Sequence, residues 1–269
     1  MLKMPLREQN SNKGSFGKVL NFCGSDNYIG ASYLATVSSL KVGAGFSALA
    51  STRNVIDSVS KLLPEAVYLT RKQGFKSIND FSVILVGCGL GINNDSRIII
   101  KNILKQINSN IPLIIDADGL NILSEYQKPL EENRINIITP HPKEASRLLA
   151  CSLENVLENL EETAKQLSIK YNCITVLKTH RTIICNRDLN LYKNEYGNSA
   201  LAKAGSGDVL AGIIAGLLAQ KMNPFEACKL GVYLHSRAGE IASKELSEYS
   251  VLASDLLKYL SFAIKEILV

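Results

Sequence analysis

Short apolar runs bounded by Gly, Pro or Asp alternate along this 269-residue chain with longer stretches of helical period. The runs predict strands near Val19–Cys23, Phe46–Ala50, Val67–Leu69, Val83–Val86, Leu113–Ile115 and Ile135–Thr139. A further group is predicted near Ile174–Lys178, Thr182–Cys185 and Leu189–Tyr192. The periodic stretches predict helices at Ala31–Val42, Asp95–Asn108, Lys143–Leu149, Glu154–Tyr171, Asp208–Gln220, Pro224–Ser247 and Leu252–Leu268. Within Ser82–Gly87 the run Val-Ile-Leu-Val is apolar at alternate and intervening positions alike, as a strand covered by helices on both sides must be. Strands that alternate with helices pair in parallel. The last three lie too close together for crossover helices, so that edge is expected to be antiparallel. No repeat or linker-like stretch divides the chain. The expectation is one α/β domain over 1–269, its central, mostly parallel sheet flanked by helices on both faces.

Composition narrows the class. Hydrophobic residues make up 46% and charged residues 20%, which excludes a disordered chain. The net charge of +5 comes from 30 basic and 25 acidic residues scattered along the sequence. Nucleic-acid binders gather their basic residues into a stripe, so small anionic metabolites are the better ligands here. Cysteines 23, 88, 151, 173, 185 and 228 form no C-x-x-C pair and lie mostly in apolar runs, which points to a reducing compartment. Met1–Lys13 has no apolar core, so no signal peptide is expected. The longest apolar run, Val209–Ala219, is far short of a membrane span. A cytoplasmic protein without a membrane partner is the reading.

The chemistry concentrates in a few segments. Gly197-Asn-Ser-Ala-Leu-Ala-Lys-Ala-Gly-Ser-Gly-Asp208 runs directly into an apolar helix. Glycines 205 and 207 let backbone approach a ligand, and the free N–H groups of a first helical turn bind anions. A carboxylate at Asp208 would repel phosphate, so it reads either as a general base taking a hydroxyl proton or as the helix N-cap. Val86-Gly-Cys-Gly-Leu-Gly91 bends after a buried strand, with Ile92 where a dinucleotide fingerprint needs its last glycine. Ile114-Ile-Asp-Ala-Asp-Gly-Leu-Asn121 ends a strand with Asp116 and Asp118, a pair able to hold Mg²⁺ or to cap the turn. His141, between Pro140 and Pro142, is held at another strand end, whereas His180 and His235 lack such flanking. The three histidines form no zinc motif. Lys178, Thr179 and Thr182 lie where one strand turns into the next and offer donors to nucleotide phosphates. Gly30 and Ala31 open a helix after Gly24-Ser-Asp-Asn-Tyr-Ile.

In their order, these segments and the N-terminal Asn12-Lys-Gly-Ser-Phe-Gly-Lys-Val-Leu run resemble the ADP-dependent NAD(P)H-hydrate dehydratase family from about Lys13 to the last helix. The resemblance implies a ribokinase-like fold and a repair activity. NADH or NADPH hydrated at C6, in its S form (NADHX or NADPHX), is returned to NADH or NADPH while ADP, with Mg²⁺, yields AMP and phosphate. It implies Asp208 as base, and Ala31, Gly89, Gly91, His141 and Asp208 as contacts to the hydrate. Lys178, Thr179, His180, Arg181, Thr182, Gly205, Ser206 and Gly207 would bind the nucleotide, and no protein metal ligand is implied. A homotetramer and a separate epimerase acting on the hydrate are also implied. The chain departs from the family pattern at Asn12, where His is frequent, and at Thr179, where Gly is common. A small-molecule hydroxyl kinase of the same fold, acting on a sugar, hydroxymethylpyrimidine or thiazole alcohol, would use the same Gly205–Asp208 turn. A nucleotide sensor would have no need of Asp208.

Overall fold

The computed structural model describes residues 2–268. The strands are β1 (Lys18–Phe22), β2 (Phe46–Ser51), β3 (Val67–Thr70), β4 (Val83–Val86), β5 (Leu113–Ile115), β6 (Asn136–Ile138), β7 (Ile174–Leu177), β8 (Ile183–Cys185) and β9 (Leu191–Lys193). They form one nine-stranded sheet in the order β3-β2-β1-β4-β5-β6-β7-β8-β9. Pairing is parallel from β3 to β7 and antiparallel from β7 to β9, as the spacing predicts. The helices are α1 (Ile29–Lys41), α2 (Arg53–Val59), α3 (Arg71–Lys76), α4 (Asn94–Gln106), α5 (Asp118–Tyr126), α6 (Pro142–Leu149), α7 (Leu153–Glu158), α8 (Leu160–Tyr171), α9 (Ser206–Ala219), α10 (Pro224–Leu246) and α11 (Ala253–Leu268).

Side chains alternate across a strand, so each central strand supplies both faces. Val19, Leu49, Leu85, Ile114 and Val176 join one buried cluster with residues of α1, α9, α10 and α11. Leu20, Ala48, Ile84, Ile115 and Leu177 join the other, with residues of α4, α5, α6 and α8. The apolar α9 is buried along nearly its whole length because α1 and α10 both pack on it. Its close approach to α1 depends on small residues: a Cβ on Gly212 would stand 2.2 Å from the Ala35 carbonyl oxygen.

Sequence and structure differ mainly in short helices. The predicted Glu154–Tyr171 helix is two helices, broken at Asn159, whose φ of −128° leaves the helical region. Asparagine competes for backbone hydrogen bonds, and its side chain here bonds Asn155 O. The segments α2 and α3 are too short for a visible period and are started by Thr52 and Thr70 caps. Helix α5 begins directly after the Asp116 turn, with no side-chain cap.

Candidate active site

Parallel pairing places the carboxyl ends of β1, β4, β5, β6 and β7 along one edge of the sheet, where open α/β sheets bind ligands. Each predicted segment emerges there: Cys88–Gly91 after β4, Asp116 and Asp118 after β5, His141 after β6 and Lys178–Thr182 after β7. The amino end of α9 meets the same edge.

The cap of α9 is Gly205 rather than Asp208. Gly205 sits at φ +89°, a left-handed conformation suited to glycine, and no side chain caps the helix. Asp208 is the third residue of the helix. Ser206 turns its N–H back to Lys203 O at 3.2 Å, and the Val209 N–H returns to Gly205 O. The N–H groups of Gly207 and Asp208 therefore have no protein acceptor among the described residues, and at the positive end of the helix such groups are able to bind an anion.

Lys178 supplies a cation beside them. A Cβ on Gly207 would stand 3.2 Å from Lys178 Nζ. Lys178 Nζ donates to Asp116 Oδ1 at 2.7 Å and lies 3.9 Å from Glu144 Oε2. Asp116 also accepts from Thr139 Oγ1 at 2.6 Å. Burial opposes the Lys178 charge, but Asp116 and Glu144 outweigh it and hold the ammonium above its ordinary range. Asp118 is turned to a different task, accepting the Gly91 N–H at 2.7 Å, and burial raises its carboxyl. The two aspartates that the sequence offers as a metal pair are thus separated by their partners.

Asp208 stands against Cys88 and Asp116, with one potential ligand atom of each residue within 4.8 Å of the others. Burial, reinforced by repulsion from Asp116, pushes the Asp208 carboxyl up to about 7. The Cys88 thiol donates to Asp116 Oδ2 at 3.6 Å, and the neighbouring Cys23 and full burial hold it well above its ordinary range, so it stays protonated. A protonated thiol beside an aspartate already bonded to lysine does not suit Mg²⁺, which takes hard oxygen ligands.

His141 is oriented by a capping box. Its Nδ1 accepts from the N–H groups of Lys143 and Glu144 at 3.1 and 3.3 Å, and Glu144 Oε2 accepts the His141 N–H at 2.8 Å. The ring therefore carries its proton on Nε2. Burial and Lys178 lower its pKa, while burial pushes the Glu144 carboxyl up to about 7.

A cavity of about 540 Å³ opens beside this centre, lined by His141, Lys178, Thr179, His180, Thr182, Ser206 and Gly207. The 196–203 segment, His235 and Ser236 complete the wall. The Thr179 and Thr182 hydroxyls donate within their own turn, to Arg181 O and Thr179 O. Arg181 is drawn away to the Glu195 carbonyl. Ala31 and Gly89 are neighbours: a Cβ on Gly89 would stand 2.7 Å from that of Ala31. Sequence reasoning missed Glu144, the Cys88 side chain and His235. The H-x-x-E spacing of the capping box could have found Glu144. His235 lies in the middle of a helix, with no local signal to mark it.

Comparison with known proteins places this geometry. The family model described as NAD(P)H-hydrate dehydratase matches residues 19–261. The ADP-dependent (S)-NAD(P)H-hydrate dehydratase of Neisseria meningitidis is 34% identical over 93% of this chain and 84% of its own length. A bifunctional NAD(P)H-hydrate repair enzyme of Thermofilum pendens is 33% identical over 97% of this chain, and this chain spans about half (52%) of that longer protein. In structure, the ADP/ATP-dependent NAD(P)H-hydrate dehydratase of Bacillus subtilis, co-crystallised with ATP/Mg²⁺, superposes with a TM-score of 0.89 at 30% identity, covering 98% of this chain and 95% of that one. The chain, with its ribokinase-like α/β fold, belongs to the NAD(P)H-hydrate dehydratase family.

Proposed function

We propose that this protein dehydrates the S form of C6-hydrated NADH or NADPH at the expense of ADP, releasing AMP and phosphate. The observation that carries the reading is Asp208. Its half-buried carboxyl, poised at about 7, adjoins two N–H groups without acceptors among the described residues and the Lys178 ammonium. A base of that pKa, beside an anion-binding turn, is equipped to activate a hydroxyl toward phosphorus.

The chemistry follows from leaving-group ability. Hydroxide leaves poorly from C6, and phosphate leaves well. Asp208 takes the hydroxyl proton as the oxygen attacks the terminal phosphorus of ADP, and the bond from that phosphorus to AMP breaks. The N–H groups of Gly207 and Asp208 and the Lys178 ammonium hold the charge that develops on the transferred group. The ring nitrogen then expels phosphate, C5 gives up a proton, and the C5–C6 double bond returns. Ala31, Gly89, Gly91 and His141 would line the hydrate's position, His141 as an Nε2–H donor. Lys178, Thr179, His180 and Thr182 would border the nucleotide in the 540 Å³ cavity. Mg²⁺ would enter on the nucleotide phosphates, where it neutralises their charge, since the Cys88–Asp116–Asp208 group is no oxygen cage.

Six cysteines with free thiols support a reducing, cytoplasmic setting. Among the described residues no helix is long and apolar enough to cross a membrane. A functional link to epimerisation of the hydrate and a homotetramer are expected. The deciding experiment supplies enzymatically prepared NADH hydrate, Mg²⁺ and the purified protein, with or without ADP. Return of NADH absorbance that requires ADP and releases AMP is the expected result. No return with ADP or ATP from folded protein would overturn the reading, and phosphorylation of vitamin alcohols or sugars would replace it.

A further inference from the structure

His235 lies in the middle of α10, only 7% exposed, and reaches across to the first turn of α9. Its Nε2 stands 3.0 Å from the Ser206 carbonyl oxygen and 3.0 Å from Ser206 Oγ. The Ser206 carbonyl and the Gly207 N–H are the two ends of one planar peptide unit. Fixing the carbonyl end fixes the direction of the N–H end. A hydrogen bond accepted at the carbonyl also polarises the amide and strengthens its N–H as a donor. The Gly207 N–H has no protein acceptor among the described residues, and Lys178 Nζ sits beside the Gly207 Cα.

We infer that His235 is a positioning residue of the phosphoryl site: as an Nε2–H donor to the Ser206 carbonyl, it aims and polarises the Gly207 N–H toward the transferred phosphoryl group. The inference rests on the assignment of the Gly205–Asp208 turn to that group. Burial pushes the imidazole down to about 4, so the ring remains neutral, and it is unsuited to a base's role, throughout the working range. A neutral ring donates from Nε2 without adding a charge that would compete with Lys178 for the phosphate.

The role predicts a selective loss. AMP lacks the phosphoryl group that meets Gly207, whereas ADP carries it. His235→Asn keeps a small neutral polar side chain but is too short to reach the carbonyl. His235→Gln places an amide N–H near the position of Nε2. Calorimetric titration with ADP and with AMP, both with Mg²⁺, would be combined with turnover of NADH hydrate. His235→Asn and His235→Leu should weaken ADP about tenfold, leave AMP within about twofold, and lower kcat about 10- to 100-fold at unchanged KM for the hydrate. His235→Gln should restore most of both.

Equal weakening of ADP and AMP, or no change in either, would overturn the inference. The wild-type protein tests the parent reading separately. If it neither binds ADP nor turns over the hydrate, the phosphoryl-site assignment fails first. If it does both, the variants decide the role of His235 alone, and should His235→Leu fail to fold, the Asn and Gln pair still decides it.

Discussion

Asp208→Asn separates chemistry from stability. The replacement preserves shape and removes the proton acceptor, so turnover should fall by about 10²–10⁴-fold. The same substitution should make the protein more stable at alkaline pH. Burial and Asp116 move the Asp208 carboxyl from an ordinary 3.8 to about 7. At 1.36 kcal/mol for each unit, ionising it in the folded protein costs roughly 4 kcal/mol more than in the unfolded chain. Well below pH 3.8 Asp208 is protonated in both states, and wild type and variant should melt alike. As pH rises from 4 to 7 the unfolded chain releases this proton more readily, and the wild type loses stability that the variant keeps. Above pH 8 the difference is complete. Allowing for relaxation around the charge, the variant should be more stable there by roughly 2–4 kcal/mol, a Tm gain on the order of 5 °C. Melting curves of both proteins at pH 3, 6 and 8.5 measure this directly. A variant equal to or less stable than wild type at pH 8.5, or a gain independent of pH, would refute the claim that Asp208 is held unfavourably ionised.

The remaining expectations concern neighbouring groups. The dependence of kcat/KM on pH should rise through an apparent pKa near 7, the value to which burial and Asp116 bring Asp208. Glu144 is raised to the same region, so Glu144→Gln must leave that limb in place, and a limb that disappears in it would assign the titration to Glu144. Lys178→Met leaves Asp116, 1% exposed, without its cation, which should cost roughly 3–5 kcal/mol in urea unfolding as well as at least about 10²-fold in turnover. Unchanged unfolding would show that Asp116 does not depend on the lysine for its burial. Gly212→Val drives a side chain against the Ala35 carbonyl and should destabilise by about 1–3 kcal/mol or more, whereas an unchanged urea midpoint would show that α1 and α9 can separate without loss.

Much of the architecture is written in local pattern. Period-two and continuous apolar runs mark all nine strands within a residue or two, because burial on both faces of a strand demands it. The closeness of β7, β8 and β9 forces the antiparallel edge, since no crossover fits between them. Helices of six or seven residues such as α3 and α2 escape detection, because one or two turns carry too little period to stand out from a loop. The site was partly legible for the same reason. Parallel strands bring their carboxyl ends together, so motifs far apart in the chain at Gly89, Asp116, His141 and Lys178 had to converge.

What each group does at that edge was decided by the tertiary structure. Lys178 and Asp116 are 62 positions apart, and only the register of β5, β6 and β7 brings Nζ within 2.7 Å of the carboxylate. That contact turns Asp116 from a metal candidate into the lysine's counter-ion. Asp208 could be a cap or a base by sequence, and the cap position went to Gly205, whose left-handed backbone starts the helix earlier. The pKa of Asp208 and the reach of His235 to Ser206 likewise exist only once α9 is buried against the strands and α10. Periodicity is a property of neighbouring residues, so the sequence by itself determines layers and strand ends. Desolvation and long-range hydrogen bonds belong to the assembled interior, so the chemistry of the site appears only with the fold.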